Sequence, residues 1–209
     1  MITKVVVSGT GTEVGKTWVA ARLARSLRRA GVPVAARKPV QSYDEAEGPT
    51  DADVLAAATG EDPHLVCRPV HWYALPLAPP MAAEALGAPP ISIDDLVGGL
   101  DLPRAGVCLV EGIGGPRSPL ADNGDTVELA NAIDADLIVL VAEPNLGVLN
   151  DVSLGIDAFA PRDVVVFLNR YDDGLELHRR NRSWLTEAEG LRVVVDTDEI
   201  VGSLTEPEV

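Results

Sequence analysis

Cysteine, histidine and aromatic residues are scarce in this chain, and each scarcity removes a class of function. Only two cysteines occur among 209 residues. Cys67 and Cys108 lie in strand-like apolar stretches without metal-ligand spacing, so both read as buried reduced thiols. A disulfide framework, a zinc site and a redox pair are thereby excluded. The three histidines, His64, His71 and His178, are scattered and form no ligand pattern. Lys and Arg number 17 against 32 Asp and Glu, for a formal net charge of −15. So acidic a chain is repelled by phosphate backbones and anionic lipid, which excludes nucleic acid and membrane as partners. No apolar run approaches the ~20 residues needed to cross a bilayer. Met1-Ile2-Thr3-Lys4 passes straight into an apolar run, with no signal-peptide pattern, and a cytoplasmic location is expected. The length suits one domain, 1–209, with a substantial core.

What is present is concentrated near the start. The apolar run Val5-Val6-Val7 leads into Gly9-Thr10-Gly11-Thr12-Glu13-Val14-Gly15-Lys16-Thr17. A strand that delivers a glycine-rich turn, which in turn opens a helix, wraps backbone N–H groups around phosphate oxygens. Lys16 is placed to reach the outer phosphates and Thr17 to offer its hydroxyl to Mg²⁺. Five residues separate Gly9 from Gly15, one more than in the common phosphate loop. Val19, Ala20, Leu23, Ala24 and Leu27 then recur on one helical face. A chance glycine turn with an incidental lysine does not account for strand, loop and amphipathic helix in this order. The chain binds a nucleotide.

Beyond the loop, strand and helix patterns alternate. Strands are expected at Val34–Ala36, Leu65–Ala74, Val107–Val110, Leu137–Ala142, Val164–Leu168 and Leu191–Val195. Helices are expected at Asp51–Ala58, Met81–Leu86, Thr126–Ile133, Val148–Phe159 and His178–Ala188, and the acidic tail after Asp196 is expected to lack order near its end. Uniformly apolar strands between helices predict an α/β fold of three layers, α/β/α, with a mostly parallel sheet covered on both faces. Ligands of such sheets bind beyond the carboxyl ends of the strands.

Glu111 closes one of these strands and precedes Gly112-Ile113-Gly114-Gly115, a position where a fixed carboxylate can serve a Mg²⁺ ion beside the phosphate loop. Lys38 ends the second strand before Pro39, with Gln41 and Ser42 beyond, and can face the same crevice as Lys16. Asp51 opens the following helix, and Asp53 points elsewhere on it, so at most one of the two faces the metal. Asp44, Glu45 and Glu47 read as a solvated charge run.

Together, Gly-Thr-Gly-Thr-Glu-Val-Gly-Lys-Thr at 9–17, Arg-Lys-Pro-Val-Gln-Ser at 37–42, Thr-Asp-Ala-Asp at 50–53, Val-Glu-Gly-Ile-Gly-Gly at 110–115 and Leu-Gly-Val-Leu-Asn at 146–150 resemble the dethiobiotin synthetase family. The likeness spans residues 2 to 170 in the family's motif order, and its most specific part is the phosphate loop joined to the downstream Lys-Pro-Val. It implies a P-loop NTPase-like fold and ATP-dependent ring closure of 7,8-diaminononanoate with CO₂ to dethiobiotin, a step of biotin synthesis. One amine takes up CO₂ as a carbamate, the carbamate attacks the γ-phosphorus of ATP, and the second amine closes the ring and expels phosphate.

Carried over by this resemblance, Gly11, Thr12, Glu13, Val14, Gly15, Lys16 and Thr17 hold the nucleotide phosphates, and Asn169 meets the base. Thr17, Asp51 and Glu111 ligate Mg²⁺, while Lys16, Lys38 and Thr12 act on the transferring group. Ser42 and Lys38 bind substrate, and Gly147, Val148, Leu149 and Asn150 receive its acid tail across a homodimer interface. The chain departs from the family at Ile113, where alanine is usual, at Met81, where a polar residue is common, and over Val195–Leu204, where the base-recognising loop is not recognisable. Four other readings compete. A partitioning ATPase shares the architecture but needs a lysine where Gly11 stands, and often binds DNA or membrane. A cobyrinate-type amidotransferase needs a glutaminase domain for which no length is expected. A relative acting on another amine, or a non-catalytic nucleotide-binding module, would share the phosphate loop.

Overall fold

The structure, a computed structural model, describes residues 2–46 and 48–205. In chain order it runs β1 (Ile2–Gly9), α1 (Lys16–Arg29), β2 (Val34–Arg37), β3 (Gln41–Ser42), α2 (Asp51–Thr59), α3 (Pro63–Val66), a 3₁₀ turn at Pro69–His71 and β4 (Trp72–Tyr73). There follow α4 (Pro79–Ala85), α5 (Ile93–Gly98), β5 (Gly106–Glu111), β6 (Pro119–Ala121), β7 (Gly124–Asp125) and α6 (Thr126–Ala132). Then come β8 (Leu137–Ala142), α7 (Val148–Phe159), β9 (Val164–Leu168), α8 (Glu176–Ser183) with a wider π turn at Trp184–Ala188, β10 (Arg192–Val194) and α9 (Thr197–Thr205).

Six strands form one parallel sheet in the order β10-β9-β8-β1-β5-β2. The chain builds outward from β1 to β2, fills the gap with β5, then crosses to β8 and proceeds to the other edge. The order therefore reverses beside β1, and a crevice opens there past the carboxyl ends of the strands. The three-layer architecture follows from alternation along β1. Val5 and Val7 pack toward α1, α2 and α9, whereas Val6 packs toward α4, α5 and α6. Both faces are covered, which is why the central strands carry valine, leucine and isoleucine on both sides.

One stretch differs from the sequence expectation. Leu65–Ala74 is not a long strand. Asp62 caps α3, Pro63 starts it, and Pro69 opens the 3₁₀ turn, leaving only Trp72–Tyr73 to pair with Gln41–Ser42. Prolines without an N–H interrupted an apolar run that would otherwise have been extended. Cys67 accordingly lies outside any strand, though it and Cys108 are both buried free thiols, pushed up to about 12 by burial. The tail begins as α9 through Thr205, because Ile200 and Val201 bury themselves in the α1 layer; its end, 206–209, where lack of order is expected, lies outside the described residues. No helix among the described residues is long and apolar enough to cross a membrane.

Candidate active site

β1 and β5 lie side by side with Val7 opposite Glu111, so the loop leaving β1 and the carboxylate closing β5 meet at one sheet end. Thr10 N–H donates to Val141 O at 2.9 Å and ties the loop to β8. Glu13 and Gly15 both adopt left-handed backbone, with φ of 62° and 91°. Gly15 is required there: a Cβ would stand 2.2 Å from Asn169 Nδ2. Gly15 is also the N-cap of α1, and no side chain caps that helix. Its first-turn N–H groups and the positive end of its dipole open onto the crevice, which makes an anion site.

Four side chains converge beside it. Thr17 Oγ1 donates within 2.8 Å of both Asp51 Oδ1 and Glu111 Oε1. Lys38 Nζ lies 2.8 Å from Asp51 Oδ2, 2.7 Å from Glu111 Oε1 and 2.9 Å from Gly112 O. Burial acts to discharge Lys38, but Asp51 and Glu111 outweigh it and hold the ammonium above the usual lysine range. Lys38 in turn holds the Asp51 carboxyl below the usual carboxylate range. Burial pushes the Glu111 carboxyl up, against the pull of Lys38. Lys16 Nζ turns back to Gly11 O at 2.9 Å, and burial, then Lys38, brings its pKa down to about 8. Lys16 still carries its charge at neutral pH, and an approaching anion would hold it more firmly.

Glu111 Oε2 is buried without a hydrogen-bond partner. A hydroxyl and two carboxylates, one of them with this unsatisfied oxygen, are hard donors that fit Mg²⁺. Among the described residues no group of three or more His, Cys, Asp or Glu is placed to hold a metal ion by itself. Two carboxylates suit a Mg²⁺ completed by water and phosphate oxygens rather than an all-protein cage. Asp51 is fixed because Thr50 and Asp53 form a reciprocal capping box at the start of α2, which also explains why Asp53 is not in the cluster.

The crevice encloses about 1030 Å³ and is lined by Thr12, Glu13, Lys16, Lys38, Ser42 and Ile113 beside the acidic cluster. Ser42 Oγ donates to Leu77 O at 2.6 Å, which fastens the proline-rich segment over it. A second cavity of about 380 Å³, bounded by Gly15, Trp18, Phe167, Asn169, Tyr171 and Val195, adjoins the loop. Asn169 Nδ2 donates to Val14 O at 2.9 Å, linking β9 to the phosphate loop.

Comparison with known proteins places this geometry. The AAA domain family matches residues 3–194. The ATP-dependent dethiobiotin synthetase of Mycolicibacterium gilvum is 41% identical over 164 residues, covering 76% of this chain and 70% of that protein. The enzyme of the same name from Haloferax mediterranei is 38% identical over 192 residues, covering 90% of this chain and 80% of the relative. The chain belongs to the ATP-dependent dethiobiotin synthetase family. Solved structures share only its fold. The septum site-determining protein of Pyrococcus horikoshii with Mg-ADP gives a TM-score of 0.51 at 18% identity, over 97% of this chain and 84% of that one. A nucleotide-binding protein of Archaeoglobus fulgidus with ADP gives 0.52 at 13% identity, over 97% and 85%.

Against this dethiobiotin synthetase family pattern, the structure brings Thr12, Lys16, Thr17, Lys38, Ser42, Asp51 and Glu111 to one crevice and Asn169 to the cavity beside it. Gly11 contributes its carbonyl to Lys16, and Val14 its carbonyl to Asn169. Gly147, Val148, Leu149 and Asn150 form the start of α7 and line neither space. Two residues escaped sequence reasoning. Gln41 Oε1 accepts from Ala52 N–H at 3.0 Å, bracing the first turn of α2, while its Nε2 is buried without a partner. Only its place beside Lys38 hinted at this. Trp18 bounds both spaces, and its position directly after Thr17 was the available signal.

Proposed function

We propose that this chain closes 7,8-diaminononanoate with CO₂ to dethiobiotin at the expense of ATP, in the cytoplasm; the names of its relatives support the ATP-dependent synthesis of dethiobiotin. The observation that carries the reading is the meeting of Lys16, Lys38 and the Thr17–Asp51–Glu111 oxygen cluster in one crevice at an uncapped helix start. Phosphoryl transfer asks a protein for positioning and charge neutralisation more than for covalent help, and those are what these groups supply.

In this reading the loop amides from Gly11 to Thr17 and the Lys16 ammonium hold the ATP phosphates. Thr17, Asp51 and Glu111 would hold Mg²⁺, whose chemistry when bound is to neutralise charge on the β- and γ-phosphoryl oxygens. Lys38 changes partners during turnover. It neutralises Asp51 and Glu111 before a cation arrives, and afterwards its ammonium is free to offset charge on the carbamate and the phosphoryl group in flight. The first amine adds to CO₂ and loses a proton to give the carbamate. A carbamate oxygen then displaces ADP from the γ-phosphorus. The second amine attacks the carbamoyl carbon, and inorganic phosphate leaves. Thr12 and Ser42 lie where they can bond substrate or phosphate oxygens, and Asn169 where it can meet the base.

Gly147, Val148, Leu149 and Asn150 line neither the crevice nor the cavity beside it, which supports a role across a homodimer interface, at the crevice of a partner copy. Gly147 has a left-handed backbone, with φ of 99°, at the N-cap of α7, and no side chain caps the helix. Such a start suits a substrate carboxylate. Expression in a biotin auxotroph that lacks this step tests the proposal. Growth without biotin or dethiobiotin is expected, and no growth despite folded, ATP-binding protein would refute it.

A further inference from the structure

We propose that Trp18 is the platform on which the nucleobase stacks, supplying affinity that is indifferent to which base is bound. The inference rests on the nucleotide reading of the crevice and adds a residue to it. Trp18 follows Thr17 directly on the first turn of α1, where a base must come once the phosphates occupy the loop. Its side chain stands at the junction of the two spaces, bounding both the large crevice and the 380 Å³ cavity. The residue is 51% exposed, although its helix buries Val19, Ala20, Leu23 and Leu27 in the core. Burial against the core therefore does not explain an indole at this position.

The ring is held in place. Arg22, one turn along, carries its guanidinium 5.3 Å from the indole centroid. Arg22 Nη2 is anchored 2.7 Å from Asp196 Oδ2, in the segment joining β10 to α9. An indole restrained in this way loses little freedom when a ligand stacks on it. Phe167 and Tyr171 contribute further aromatic wall, and Val195, beside Asp196, closes the end. A cavity of this size with aromatic walls, and with Asn169, Arg22 and Arg170 as its polar groups, suits a flat heterocycle. Stacking on a ring is tolerant of base identity, because every base presents a π-face. Discrimination between bases then falls to Asn169 and its neighbours, and not to Trp18.

Calorimetric titration of Trp18→Val, Trp18→Phe and the unaltered protein with ADP, GDP and tripolyphosphate, each with Mg²⁺, separates the roles. Trp18→Val should weaken ADP and GDP equally, by about ten-fold, and leave tripolyphosphate unchanged. Trp18→Phe should recover most of the loss. ADP should also quench the indole emission of the unaltered protein, and that quench should vanish in Trp18→Phe, a readout that survives if Trp18→Val does not fold. Unchanged ADP affinity in Trp18→Val, an equal loss for tripolyphosphate, or a quench that persists in Trp18→Phe would each overturn the proposal. If the unaltered protein binds neither tripolyphosphate nor ADP, the phosphate-loop reading itself falls, and the inference falls with it.

Discussion

Lys38 is the residue on which most of the site's electrostatics turns. It is 2% exposed and paired with two carboxylates, one of which is itself 1% exposed. Replacing it by glutamine removes the cation that offsets both. Turnover should fall by about 10²-fold or more, because a charge directed at the transition state is lost. The same change should lower the Mg²⁺ concentration needed for half activity, since the ammonium and the metal compete for Asp51 and Glu111. A Mg²⁺ titration of the residual activity checks this, and a raised requirement would show that Lys38 supports the metal rather than competes with it. Glu111→Gln should act in the opposite sense, raising the Mg²⁺ requirement while the fold is kept. Lys16→Ala should abolish turnover and weaken ATP, measured as kcat/KM for the nucleotide. These residues were legible because spacing within the loop and the ends of apolar strands are local features. Gln41 and Trp18 were not, since a buried amide donor and an indole between two cavities appear only once separate elements have packed.

At the scale of elements, the cap of α2 and the turn before β4 position the cluster without belonging to it. Thr50→Ala removes half of the capping box and should cost about 1 kcal/mol of stability. Because the same cap aims Asp51, the Mg²⁺ requirement should rise together with the loss in denaturant midpoint, and an unchanged midpoint would dissociate cap from stability. His71 adds a pH dependence. It is buried, and its Nδ1 donates to Pro39 O at 3.0 Å, directly after Lys38. Burial lowers its pKa below the ordinary 6.5, so the unfolded chain takes up a proton that the folded chain resists. This contribution to stability is full above pH 6.5 and is lost as pH falls from there through the lower folded value. His71→Gln should flatten the decline in Tm between about pH 7.5 and about pH 5.5; equal slopes would remove the histidine from the account. The apolar strands and the amphipathic helices α1 and α7 were readable from periodicity. Leu65–Ala74 misled because an apolar run carries no mark of whether its prolines will break it. The short α5 was missed although Ser92 and Asp95, three apart, formed a capping box in plain sequence.

The whole molecule is a parallel sheet with its crevice at the point where strand order reverses, and its family was readable from motifs spread over residues 9–150. The proposed interface between copies of the chain rests on the resemblance alone for its residues. Leu146 and Leu154, 90% and 62% exposed, flank the start of α7 and lie on it. In the proposed homodimer this region is covered. Leu154→Glu should yield monomers in sedimentation and depress kcat/KM for the diamine while ADP affinity is retained; a persistent dimer would place the interface elsewhere. The central claim, that these residues join CO₂ to a diamine by way of ATP, is tested most directly by mass spectrometry of the product. Purified protein is incubated with ATP, Mg²⁺, ¹³C-labelled bicarbonate and 7,8-diaminononanoate. The account predicts dethiobiotin carrying the label in its ureido carbon, with one phosphate released per ring closed and none when either diamine or CO₂ is withheld. Phosphate release at the same rate without the diamine, and no labelled ring, would contradict it.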